Sequence, residues 1–80
     1  KMSEKIFQLI AKILGVPLSS LNNDSSPENT EGWDSLKGLL LVDELEKEYD
    51  VNFTLNEIYD VVTVADIKKH LKSHGVKIDG

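Results

Sequence analysis

Apolar residues recur at helical spacing in three separate stretches of this chain, and no two stretches alternate in the way that pairs strands. That pattern confines the fold to packed helices. Ile6, Phe7, Leu9, Ile10, Ile13 and Leu14 lie along one broad face of a first helix, about residues 3–14, which Ser3 can cap and Gly15 and Pro17 stop. A second helix runs over about 35–49. Thr54 and Glu57 are spaced as a capping box, opening a short third helix at 55–60. Thr63 caps a fourth over 63–74, where Val64, Ile67 and Leu71 share a face before Gly75. Val51 and Phe53 alternate like a strand, but a strand without a partner is marginal, so they read as an extended connector.

The expected fold is therefore all-α: a small four-helix bundle with three principal helices and one short one. Residues 15–34 form a long polar connection, for which Leu18 and Leu21 are candidate anchors. A connection of that length fits a small domain if its flanking helices run in the same direction and the chain must travel the length of the bundle.

Eighty residues suffice for one core, so 1–80 reads as a single domain. With no cysteine, the chain has no disulfide and no thiol of its own, and any thiol chemistry must come with a cofactor. The longest apolar run, Leu39 to Val42, is too short to span a bilayer, and the N-terminus lacks the apolar stretch of a signal peptide. A cytoplasmic monomer is expected, without membrane insertion. Between Asp24 and Asp66 twelve acids face only Lys37 and Lys47, a local charge of −10 within an overall −5. Such a surface repels nucleic acid and attracts partners that present lysine and arginine.

The informative stretch is Glu31-Gly32-Trp33-Asp34-Ser35-Leu36, where a serine stands between a polar loop and an apolar helix. Its hydroxyl can cap the helix, which is the commoner use of serine there. Alternatively, the unpaired amides and positive dipole end can accommodate a phosphate on that oxygen. Asp34 can take over the capping, which would leave Ser35 open to modification.

Trp33-Asp34-Ser35-Leu36, followed by an apolar helix ending Leu45-Glu46-Lys47-Glu48-Tyr49, resembles the phosphopantetheine-binding carrier protein superfamily, and in particular acyl carrier proteins. The likeness extends to the amphipathic first helix, the long loop with Asp24-Ser25, the Val51-Asn52-Phe53 connector and the Thr63-Val64-Ala65-Asp66 helix start. The resemblance implies that a phosphopantetheinyl transferase esterifies Ser35 with 4′-phosphopantetheine from coenzyme A, with Asp34 recognised alongside. It implies a phosphoprotein that is no enzyme: the arm holds acyl groups as thioesters and presents them to synthases, ligases or acyl-transferring enzymes of fatty-acid, lipid or polyketide-type biosynthesis. Leu36, Leu40, Asp43, Glu44 and Glu46 are then the residues expected to meet basic docking patches on those partners. Lys37, Lys47 and Leu40 interrupt the acidic face, a departure from the most acidic members that puts a housekeeping fatty-acid role in doubt and leaves room for a specialised carrier. Two alternatives stand beside this reading: an aminoacyl or peptidyl carrier loaded by an adenylating enzyme, and an unmodified helical adaptor.

Other features carry less. Trp33 suits an anchor for the long loop, and Gly38 weakens the second helix by roughly 1 kcal/mol relative to alanine. His70 and His74 stand one turn apart, but no carboxylate or cysteine cluster joins them in sequence, so they read as part of a solvated face and no metal site is expected. No GxSxG elbow or serine triad is present.

Overall fold

A computed structural model describes residues 2–78 of the chain; Lys1, Asp79 and Gly80 lie outside the described residues. Four α-helices follow one another, α1 (Met2–Leu14), α2 (Ser35–Tyr49), α3 (Leu55–Asp60) and α4 (Val64–Ser73), with a turn of 3-10 helix at Leu18–Ser20. Among the described residues there is no strand, and the Val51–Phe53 connector lays its two apolar side chains half-buried against the core.

Helical periodicity builds that core directly. Ile6, Ile10 and Leu14 come from α1, Leu41 and Leu45 from α2, Val64, Ile67 and Leu71 from α4, and Trp33 from the loop. Each burial of such a side chain contributes about 1.5–3 kcal/mol, so three helices converging on one apolar centre are enough to hold a chain this short. α1 begins at Met2, which places Ser3 inside its first turn and not ahead of it as a cap; the side chain of Ser3 is outside the described set. The helix ends where Gly15 adopts a positive φ of 71° and, with Val16, returns its N–H to the Ala11 carbonyl.

The direction expected of the first two principal helices is corrected by their contacts. Lys5 near the start of α1 pairs with Glu48 near the end of α2 at 2.7 Å. Lys37 near the start of α2 donates to the carbonyl of Ile13 near the end of α1 at 3.3 Å. The helices are therefore antiparallel, and the 15–34 connection is a closed excursion that returns to where it began. At its far end a Cβ on Gly32, whose φ is 83°, would lie 2.9 Å from the Leu14 carbonyl oxygen.

Its length serves another helix. The carbonyls of Ser25 and Asn23 accept from the Val64 and Ala65 amides at 3.1 and 3.0 Å, satisfying donors that open α4. Asn23 Oδ1 also accepts from Lys68 Nζ at 2.6 Å, and that ammonium sits 4.5 Å from the centre of the Phe7 ring. Ser25 and Ser26 are buried under this joint. Leu21 packs against the core as expected, whereas Leu18 is exposed and lies outside the core cluster.

Candidate functional site

The start of α2 divides two tasks between adjacent residues. Asp34 is the N-cap, in extended conformation, and its Oδ1 accepts from the Lys37 amide at 2.9 Å. Ser35 is thereby the first helical residue; it is exposed, and its hydroxyl takes no partner among the described residues. The amides of Ser35 and Leu36 likewise find no acceptor among the described residues, as the first turn of a helix dictates. An exposed hydroxyl thus stands beside two free donors at the positive end of a fifteen-residue helix. No histidine or carboxylate is hydrogen-bonded to the Ser35 hydroxyl among the described residues, and the adjacent carboxylate, Asp34, is engaged as the cap through Oδ1.

The outward face of α2 carries Leu36 at 65% exposure, Leu39 at 60% and Leu40 at 45%, while Leu41 and Leu45 point into the core. The helix phase expected for Leu40 is the observed one; Leu39, equally outward, escaped the sequence reading because an apolar run of four covers more than one face. Asp43 and Glu44 are exposed on the same side, Asp43 being paired with Lys47 at 3.1 Å. Glu46 stands apart. It is half-buried, and its Oε2 accepts from the Phe53 amide at 2.8 Å, so one oxygen is committed to holding the connector.

Beside Ser35 opens a cavity of about 360 Å³, lined by Trp33, Asp34, Ser35 and Gly38 at one side and by residues of α2, α3 and α4 at the other. Leu39, Leu41, Val42, Ile58, Val61 and Ile67 make its walls largely apolar. Trp33 is buried at 6% exposure, the loop anchor expected of it. A methyl at Gly38 would sit 3.7 Å from the indole nitrogen, an ordinary contact, so alanine would fit there.

His74 is exposed as expected, but His70 is not on a solvated face, and carboxylates do join both across the helices. His70 is buried, with Nε2 2.7 Å from Asp60 Oδ2 and Nδ1 3.5 Å from Glu57 Oε2. His74 Nε2 lies 2.9 Å from Glu57 Oε2. Backbone donation from Thr54, then the His74 hydrogen bond, hold Glu57 well below the ordinary carboxylate range, at about 2. Lys69, then His70, lower Asp60 in the same way. These groups satisfy one another directly, and among the described residues no His, Cys, Asp and Glu cluster is arranged to hold a metal ion. Their work is structural: α3 has no fully buried residue, and these contacts fasten it to α4. Nor is any helix among the described residues long and apolar enough to cross a membrane.

Comparison with known proteins agrees with this geometry. Residues 4–71 match the family model described as phosphopantetheine attachment site. A protein of Clostridium acetobutylicum named acyl carrier protein is 32% identical over 71 residues, covering 89% of this chain and 92% of the relative. Another of that name, from Azobacteroides pseudotrichonymphae, is 33% identical over 75 residues, covering 92% and 88% respectively.

Proposed function

This chain belongs to the acyl carrier protein family, and from that premise we propose that Ser35 is the residue to which its phosphopantetheine arm is attached. Members of the family are carriers, not catalysts. They hold acyl groups as thioesters on a covalent 4′-phosphopantetheine and work with a phosphopantetheinyl transferase and with biosynthetic enzymes. The absence of cysteine is consistent with this chemistry, since the arm supplies the thiol.

One observation carries the assignment to Ser35. Its hydroxyl is exposed and uncommitted because Asp34 has taken the cap. A phosphodiester on that oxygen would sit against the free Ser35 and Leu36 amides, where the helix dipole favours negative charge. Asp34, exposed beside it, is the candidate for transferase recognition. Leu36, Leu40, Asp43 and Glu44 supply an apolar centre with an acidic rim for basic partner surfaces, and Glu46 lies at the margin of that face. The apolar cavity beside Ser35 offers the tethered chain shelter from water. The whole works as one cytoplasmic carrier domain, where coenzyme A supplies the arm, serving fatty-acid, lipid or polyketide-type synthesis as a specialised carrier.

Intact-mass spectrometry tests the tether. Incubation with coenzyme A, magnesium and a broad-specificity phosphopantetheinyl transferase is expected to add the mass of one phosphopantetheine. Ser35→Ala is expected to add none while keeping the helical circular-dichroism spectrum. A Ser35→Ala protein that still gains the arm would move the site elsewhere.

A further inference from the structure

We infer that the indole N–H of Trp33 is a hydrogen-bond donor to the tethered cargo, favouring acyl chains that carry a hydroxyl or keto oxygen over plain alkyl chains. This rests on Ser35 being the tether, and it concerns which cargo the neighbouring cavity accepts.

Trp33 is more than nine-tenths buried, yet no hydrogen bond engages its indole nitrogen among the described residues. Buried donors are almost always paired, and each exception asks for an explanation. The nitrogen is not sealed in. Among the described residues the one buried side-chain polar atom with neither partner nor access is the hydroxyl of Tyr49. The Trp33 nitrogen therefore keeps an open side. It lies 3.7 Å from where a Cβ on Gly38 would stand, and both residues line the cavity next to Ser35. The absence of a side chain at Gly38 leaves the approach to the nitrogen clear.

The surroundings make this donor selective. Asp34 and Ser35 belong to the exposed end of the cavity, and Tyr59 is 76% exposed, so its hydroxyl reaches water. The walls beyond are aliphatic, and the indole nitrogen, beside the open Gly38 position on the cavity lining, is the side-chain donor nearest to them that no protein group engages. An alkyl chain entering there would displace water from the donor and offer nothing in return. A chain with a hydroxyl or keto oxygen near its thioester end would fill the same space and accept the bond. Sites that hydrogen-bond a ligand oxygen discriminate strongly against analogues that lack it, because the site's own group is left unpaired. The polar arm gains little from an apolar cavity, whereas an acyl chain does, so the acceptor that enters is one borne by the cargo.

The chain contains one tryptophan, so its indole N–H gives a single resonance in a nitrogen–proton spectrum. The transferase would load the protein from coenzyme A, octanoyl-coenzyme A or β-hydroxyoctanoyl-coenzyme A, with each load verified by mass. The indole proton is expected to shift downfield with the β-hydroxyoctanoyl cargo, and much less with octanoyl or with the bare arm. The β-hydroxyoctanoyl form is also expected to melt above the octanoyl form, and Trp33→Phe, which keeps an aromatic ring without the donor, to erase that difference. Equal indole shifts for both cargoes overturn the inference, as does a full shift with the bare arm. So does a melting difference that survives in Trp33→Phe. A protein that takes no load at all loses the tether and this inference together, whereas a loaded protein with an unmoved indole loses the inference alone.

Discussion

At Asp34 and Ser35 the use to which the helix start is put depends on which of two neighbouring side chains does the capping. Replacing Asp34 by alanine removes the acceptor from the Lys37 amide and is expected to cost about 1 kcal/mol in urea unfolding, whereas Asp34→Asn, which keeps an acceptor, is expected to lose far less. That the cap belonged to aspartate was legible as a possibility, because both residues are good caps. Which one held it depended on the backbone and could not be read from composition. Tyr49 makes the opposite point. Its hydroxyl is buried with no partner, a defect that no sequence pattern announces because Tyr49 ends α2 in good helical phase. Tyr49→Phe is expected to be neutral or to stabilise the protein by up to about 1 kcal/mol in the same assay, since removing an unpaired buried hydroxyl relieves its desolvation penalty. A clear loss of stability would show that the hydroxyl has a partner after all. At the outward position, Leu40→Glu is expected to change unfolding stability by less than about 0.5 kcal/mol, as surface substitutions do.

Among the elements, those whose signals are local were legible. The Thr54 and Glu57 box forms as the spacing dictates, and Thr63 caps α4 with Asp66 completing a second box. The relations between elements were not legible. Antiparallel α1 and α2 are fixed by Lys5 with Glu48 and Lys37 with Ile13, contacts between residues far apart in sequence. The carboxylate partners of the histidines were hidden for the same reason: Glu57 and Asp60 meet His70 and His74 only once α3 folds back onto α4. That junction has a consequence for acid stability. Glu57 titrates at about 2 in the fold against an ordinary 4.5, so folding favours its ionised form. The associated stabilisation is complete above about 4.5 and disappears as pH falls towards about 2, where the folded protein also takes up the proton. The depressed Asp60 acts in the same sense. The thermal midpoint is therefore expected to fall across this window, and Glu57→Gln to fall less steeply because one linked proton is gone. Parallel pH curves for the two proteins would show that Glu57 contributes nothing to acid unfolding.

For the molecule as a whole, the opposing terms are its exposed ion pairs and its excess of negative charge. The pairs Lys5–Glu48, Lys47–Asp43 and Lys69–Asp60 are short, 2.7 to 3.1 Å, but substantially exposed, so solvent and salt leave each of them a small contribution. Against them stands a net charge of −5, concentrated in the 24–66 stretch, on a body only 29 × 27 × 19 Å across. At about 0.01 M salt the screening length is about 30 Å, so every carboxylate acts on every other across the whole molecule; at about 0.1 M it is about 10 Å, and only neighbours interact. Raising salt through that range removes long-range repulsion first and leaves contacts of about 3 Å comparatively intact. The thermal midpoint is therefore expected to rise with added sodium chloride, by a few degrees if the relieved repulsion approaches 1 kcal/mol, which corresponds to about 4–8 °C in a domain of this size. A melting series over that salt range decides between the two terms. If the midpoint falls, the ion pairs outweigh the repulsion, and the acidic surface imposes no cost on the fold that a basic partner could relieve by docking.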